Sequence, residues 1–402
     1  MSGPLDGLKV LELGAIGPSA HAAMFLGDLG AEVVRVDRPD AASNPEIRLT
    51  GQVLRNRRSV TLDLKDVEDL ERFLQLAQNA DVLIEGFRPG VAEKLGLGPD
   101  ECFGRNPRLV FARITGWGRT GPLARFAGHD LNYLAVSGVL SSLGSAEHPP
   151  PPPLNLVADY GGGSMFVLVG ILAALWERNT SGRGQVVDAA MLNGVSVLSE
   201  LIWSLRAQGS WDERRGVNLL DGAAPFYTTY RCQDDRYLAV APLEAKFYEF
   251  FLANLGLDPD NLPDRDDPAN WPELHTRFAD VIVTRSRDDW ASVFAETDSC
   301  VSPVLTWSEA AVHPQMVHQG ALYSSADGIS ASPGPWFSRS ELSAPVSPRR
   351  LDQDYESVLA DWGLAASGEG VNDWNGRQGL GSERAKGMGS RGGERKDGVA
   401  AG

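Results

Sequence analysis

Two rhythms of hydrophobic and polar positions alternate along the first 115 residues. Residues 8–13, 32–37 (EVVRVD), 59–63, 81–85 and 109–114 are short apolar runs rich in branched side chains, and they read as strands. Between them, residues 17–29 and 67–78 repeat their apolar positions at helical spacing, the first opened by Gly17-Pro18. Strands alternating with helices predict a parallel sheet covered on both faces, so the expected class is α/β with a large Rossmann-like domain. Five prolines at 149–153 impose an extended lead-in, and the apolar run 165–176 is stopped by Glu177, Arg178 and Asn179. That run falls short of the roughly 20 residues needed to span a bilayer, so it predicts a buried core helix. No other segment has the length of a membrane span.

Farther along, residues 185–191 predict a strand and 192–208 a helix. Residues 228–240 predict a hairpin turned at 233–235, Glu244 opens a helix, 273–290 predict another, and 301–305 return to strand. The expected organisation is a large α/β domain over 1–190 that carries the candidate residues, a helical linker over 191–226, and a smaller α+β domain over 227–306. A segment over 307–363 is expected to return to the large domain. The Gly-rich stretch 364–402 has too little apolar content to offset chain entropy and is expected to be disordered.

Charge narrows the partners. The 402 residues carry a formal net charge of −16, which argues against a nucleic-acid surface or an anionic membrane surface. Cys102, Cys232 and Cys300 are widely spaced and show no metal-ligand pattern, as in a reduced compartment. The opening MSGPLDGLKVLELG lacks the basic end and apolar core of a secretory signal, so the cytoplasm is the expected location. Gly14-Ala15-Ile16-Gly17 follows a strand without the G-x-G-x-x-G spacing, so a nicotinamide cofactor is not expected. Against the acidic background, Arg35, Arg38, Arg48, Arg55, Arg57 and Arg58 lie within 24 residues, at 35–58. Arginine forks suit phosphate oxygens, and beside strand ends this group points to a phosphorylated cofactor, with Arg88 of GFRPG adding to it.

Two residues carry candidate chemistry. Asp159 precedes Tyr160, Gly161, Gly162 and Gly163 at the mouth of the apolar run, where side-chain-free backbone lets a ligand approach. Its plainer role is that of an N-cap. His129 stands between a glycine loop and an apolar segment, in AGHDLNY, where a structural histidine is the plainer alternative.

These residues sit in motifs that resemble a known family. LKVLELGAIGP at the start, AGHDLNY (127–133), PPLNLVADYGGGSM (152–165) and GRGQVVDAAM (182–191) are similar, in order, to the α-methylacyl-CoA racemases of the family III CoA-transferase superfamily. The resemblance implies an interlaced homodimer and an acyl-CoA substrate, with no cofactor beyond the CoA moiety and no nucleic-acid or membrane partner. The implied reaction interconverts (R)- and (S)-2-methylacyl-CoA by 1,1-proton transfer through an enolate. It implies His129 and Asp159 as the two bases and Glu244 as the partner of the imidazole. Arg38 and the segment Leu62, Asp63, Leu64 and Lys65 are implied CoA contacts. Arg88, Gly128, Asp130, Asn132 and Tyr133 are added to that set, and the amides of Gly161, Gly162 and Gly163 are the expected oxyanion donors. The chain departs from the family at APLEAKFY (241–248), at LDGAAPFY (220–227) and at Tyr160 in place of phenylalanine. The alternative within the superfamily is CoA transfer, with Asp159 attacking the thioester to form an acyl anhydride.

Overall fold

A computed structural model describes residues 3–14, 16–41, 51–325 and 327–364. Arg48 and the tail over 365–402 lie outside the described residues. The chain runs β1 (Lys9–Leu13), α1 (Pro18–Asp28), β2 (Glu32–Asp37), β3 (Arg57–Thr61), α2 (Val67–Asn79), β4 (Val82–Glu85), α3 (Pro99–Arg105) and β5 (Val110–Thr115). Next come α4 (Asp130–Ser137), a π-helix (Leu156–Met165), α5 (Phe166–Ser181), β6 (Val186–Ala190), α6 (Met191–Leu198) and α7 (Glu200–Ala207).

Six strands form one parallel sheet in the order β3-β2-β1-β4-β5-β6. The order reverses between β1 and β4, and in such sheets the ligand crevice lies outside the carboxyl ends of the strands at that reversal. Because strand side chains alternate between faces, Val10, Val33, Val82, Val110 and Ala112 pack one way, with Ala22, Leu26, Ala158 and Ile171. Leu11, Val34, Leu83 and Phe111 pack the other way, against Phe73 and Leu76 of α2 and Val358 and Trp362 near the end of the described residues. Leu364 is part of this second cluster, so packed chain extends one residue past the expected boundary.

The arginine group is not a phosphate surface. Glu12 of β1 is 0% exposed and takes Arg35 Nη1 at 3.0 Å and Arg57 Nε at 2.6 Å. Arg35 also pairs with Asp37, Arg55 with Asp28, and Arg58 with Glu32 and Asp361. Arg35, Arg55 and Arg57 answer buried carboxylates, because an unpaired buried charge is expensive, whereas the partners of Arg58 are partly exposed. Only Arg38 of the described set stays largely in solvent, beside Asp40 at 2.9 Å.

The apolar run is longer than the pattern predicts. The π-helix feeds directly into α5, so Leu156–Ser181 is one helix of 26 residues, long and apolar enough by length and composition to cross a membrane. This corrects the expectation that no segment has that length. Its Ala158, Gly162, Gly163, Val167 and Ile171 are buried in the domain. A Cβ on Gly194 of α6 would stand 1.9 Å from Gly162 O, and one on Gly162 would stand 3.0 Å from Met191 O. The two glycines therefore let the backbones of these helices touch, which no larger residue permits.

Beyond α7 a second core forms on the antiparallel sheet β7 (Thr228–Arg231), β8 (Tyr237–Val240) and β9 (Val301–Pro303). Phe226, Tyr230, Leu238, Phe251, Phe278 and Trp290 fill it from the sheet and from α8 (Ala245–Leu255), α9 (Trp271–Ile282) and α10 (Arg287–Phe294). Residues 273–290 are thus two helices, divided where the Ser286 hydroxyl caps α10 through the amide of Asp289. Likewise 192–208 breaks at Ser199 into α6 and α7.

Replacing Glu12 with Ala strands Arg35 and Arg57 without their shared carboxylate. Breaking a buried pair in this way costs about 3–5 kcal/mol, and urea unfolding should show a loss of that size. A loss under about 1 kcal/mol would mean the two guanidinium groups find other compensation.

Candidate active site

His129 is the N-cap of α4, held extended at φ −130° and ψ 173°. Its N–H donates to Asn132 Oδ1 at 3.0 Å. Behind it, the rings of Trp117 and Tyr133 meet edge to face at 4.7 Å, and the Tyr133 hydroxyl donates to Gly128 O at 2.6 Å. A Cβ at Gly128 would stand 2.8 Å from the Tyr133 ring and 2.9 Å from Trp117. An exposed imidazole is thereby mounted on a rigid loop. Gly128, Asn132 and Tyr133, expected as CoA contacts, serve in this structure as the frame of His129; Tyr133 is buried.

Asp130 changes role in the same way. Its carboxylate is buried, and one oxygen accepts the amide of Ala158 at 2.7 Å and that of Asp159 at 2.8 Å. These amides belong to the first turn of the π-helix, where backbone donors otherwise go unpaired. Asp130 therefore caps the helix that carries Asp159 while sitting next to His129 in sequence. One carboxylate ties the two candidate bases together.

Asp159 is half-buried, and its pKa is raised from 3.8 to about 6. Burial is the largest cause and the negative charge of Asp130 the second, while a hydrogen bond from Asn155 and the charge of His129 pull the other way. The raised value brings the carboxyl group closer to working pH, which suits a group that must both take and return a proton.

The expected oxyanion donors need correcting. Gly161, Gly162 and Gly163 lie inside the π-helix, where amides are committed to carbonyls five residues back. Their lack of side chains serves packing, as with Gly163 against Met191 and Pro18. The open donors lie elsewhere: among the described residues, the amides of Asp130 and Leu131 at the start of α4 meet no protein acceptor.

Glu244 is not brought to this place within one chain. It precedes α8 in the second core, exposed, where its charge adds to the burial that pushes the Cys300 thiol's pKa up, and among the described residues it makes no hydrogen bond or ion pair with His129. Leu62 is buried and Leu64 packs on the core, so only Asp63 and Lys65 of that segment face outward. Arg38, Lys65 and Arg88 follow the carboxyl ends of β2, β3 and β4, on one edge of the sheet. Sequence reasoning missed His21 of α1, whose ring stacks on Tyr160 at 4.2 Å and whose Nδ1 lies 2.7 Å from Ser164 Oγ. Its only signal is one imidazole on a helix face otherwise made of Ala, Met and Phe.

Known proteins are similar to this chain in sequence and in fold. The sequence model described as CoA-transferase family III matches residues 5–347. The α-methylacyl-CoA racemase of Mus musculus is 43% identical over 366 residues, covering 90% of this chain and 94% of its own. That of Homo sapiens is 41% identical over 367 residues, with 90% and 94% covered. Among solved structures, a CaiB/BaiF family protein from Brucella suis superposes with a TM-score of 0.78 at 26% identity, over 90% of this chain and 100% of that one.

The raised Asp159 pKa has a stability cost. An unfolded aspartate titrates near about 3.9, below the folded value of about 6. The folded state therefore holds its proton longer, and stability falls as pH rises across that window. Asp159→Asn should raise stability at pH 7 by about 1 kcal/mol, discounted for partial exposure, with no gain at pH values below the window. Equal urea midpoints for parent and variant at pH 7 would show that the carboxylate is not under strain.

Proposed function

The chain belongs to CoA-transferase family III, and from that premise we propose that it is an enzyme interconverting (R)- and (S)-2-methylacyl-CoA thioesters. The observation that carries the reading is the electrostatic proximity of His129 to a half-buried Asp159 with a raised pKa. One base removes the proton from the carbon beside the thioester carbonyl, giving an enolate. The other, already protonated, returns a proton to the opposite face. Asp159 takes the proton from one substrate hand and His129 from the other, so the pair ends each turnover with its protonation states exchanged. The enolate oxygen is held by the amides of Asp130 and Leu131, which replace the glycine amides in this role. The reaction consists of proton transfers alone, and CoA enters as part of the substrate. Arg38, Lys65 and Arg88, along one edge of the sheet, fit its phosphates.

The reading includes an interlaced homodimer in which Glu244 of the partner subunit orients His129. The support is an apolar surface that a single chain leaves open. Val169, Leu172 and Trp176 of α5 are exposed, Trp176 at 80%, as are Val197, Leu198 and Leu201 of α6 and α7. Patches of this kind mark association sites. A second copy, rather than lipid or nucleic acid, is the proposed cover. The three cysteines are free, which fits a reducing, cytoplasmic setting.

In heavy water, a 2-methylacyl-CoA should take up deuterium at the α-carbon with no acceptor acid present. His129→Ala and Asp159→Ala should each lower that exchange by about a hundredfold to ten-thousandfold. CoA transfer to an added carboxylic acid by the His129→Ala variant, without α-exchange in the parent, would instead establish the transferase, with Asp159 as nucleophile.

The dimer has its own test. Asp159→Ala and Glu244→Ala homodimers should each be impaired, and mixing them under subunit exchange should recover activity, because one hybrid site draws both intact residues. No recovery in verified heterodimers would place Glu244 outside the partner's site.

A further inference from the structure

The π-turn beneath Asp159 is the unusual feature of the site, and an element with no chemical part in the reaction grips it. His21 lies in the first turns of α1. Its ring is nearly parallel to that of Tyr160, at 4.2 Å and 14°. Its Nδ1 lies 2.7 Å from the hydroxyl of Ser164, which is completely buried. Tyr160 and Ser164 stand four positions apart, about one wide turn, so a single imidazole touches both ends of that turn. The grip is itself anchored: Arg57, held by Glu12 in the sheet, donates to the carbonyl of Ala20, the residue before His21. Burial is the largest cause lowering the pKa of the ring, the positive charges of Arg55 and Arg57 add to it, and the negative charge of Asp28 acts the other way.

We propose that His21 is a positioning residue: clamped to Tyr160 and Ser164, it holds the π-turn open and so fixes the direction in which Asp159 faces His129. A π-turn contains one residue more than an α-turn and is seldom stable without support. Collapse to an α-turn would rotate the upstream backbone by about 100°, the step of one helical residue, and carry Asp159 away from the imidazole. Asp130 caps the start of this segment, yet a cap fixes only the first amides and leaves the turn below free to tighten. The stacked ring and the buried hydroxyl act where the cap does not. The inference rests on the reading of Asp159 as a reacting base.

The test uses His21→Phe, which keeps a ring to stack but removes the hydrogen bond, and Ser164→Ala, which removes the same bond from the other end. Each should lower kcat for α-proton exchange about three- to tenfold, the scale of one hydrogen bond, with KM for the acyl-CoA unchanged. The double variant should be no worse than either single one, since both remove the same interaction. Carbon-13 NMR should follow the Asp159 carboxyl through its raised midpoint in the parent and show a displaced midpoint in both variants. Parental kcat and parental titration in both single variants would overturn the clamp, as would additive losses in the double variant. The carboxyl titration needs no turnover: a parent inactive on 2-methylacyl-CoA would overturn the proposed reaction, while the titration would still decide the clamp. Should His21→Phe fail to fold, Ser164→Ala carries the comparison by itself.

Discussion

The site depends on what one buried carboxylate does. Asp130 accepts two amides of the π-helix, at 2.7 and 2.8 Å, from a position one residue beyond His129. Two backbone N–H groups bonding one charged oxygen are stronger than neutral hydrogen bonds, and burial strengthens them further. The loop that presents the imidazole and the helix that presents the carboxyl group therefore cannot move independently. The same charge has a second effect. It raises the pKa of Asp159, adding to desolvation, so the group that sets the geometry also tunes the acidity.

The geometry can exist only because the helix bearing Asp159 packs unusually close to its neighbour. Gly162 and Gly194 bring two backbones into contact, and Gly163 admits Met191 and Pro18. A helix forced this near to α6 and α1 cannot place ordinary side chains on three successive positions, and the wide turn is where the chain takes up the mismatch. Farther back, the Glu12 network fixes α1 through Arg57. The buried ion pairs thus govern how the site is supported as well as how the sheet is held. Such a network stabilises little by comparison with apolar packing, yet removing one member is costly, which makes it a means of fixing position.

Most strands of the parallel sheet were legible because their residues face covered surfaces, which leaves short runs of branched apolar residues; β3, whose Arg57 and Arg58 pair with carboxylates, starts two residues before the pattern does. His129 and Asp159 were legible for a different reason: each sits where glycines interrupt an apolar pattern. What the sequence hid were commitments made at a distance. Arg35, Arg55 and Arg57 look like a phosphate surface until Glu12 and Asp28, which answer them from other elements, are in view. The glycines after Asp159 read as ligand-facing backbone because the closeness of α6, which uses them, is a tertiary fact. The start of the helix was set too late by the pattern, since a π-turn rich in glycine has no apolar periodicity. His21 and Ser164 are 143 positions apart, and no local rule pairs them.

One consequence joins the surface to the chemistry. The helix over Leu156–Ser181 is apolar on nearly every side, yet only part of it is covered by its own chain, with Val169 and Trp176 left in water. A helix hydrophobic all round is stable only when surrounded. On the proposed reading a second copy surrounds it and brings Glu244 to the imidazole. Where such a cover reaches the start of the helix it would add to the desolvation that is already the largest cause of the raised pKa of Asp159. Association and acidity would then be coupled, since further desolvation shifts a carboxyl group in the direction that favours holding the proton. An isolated chain would therefore differ from the dimer in the acidity of its reacting carboxyl group as well as in the orientation of its histidine.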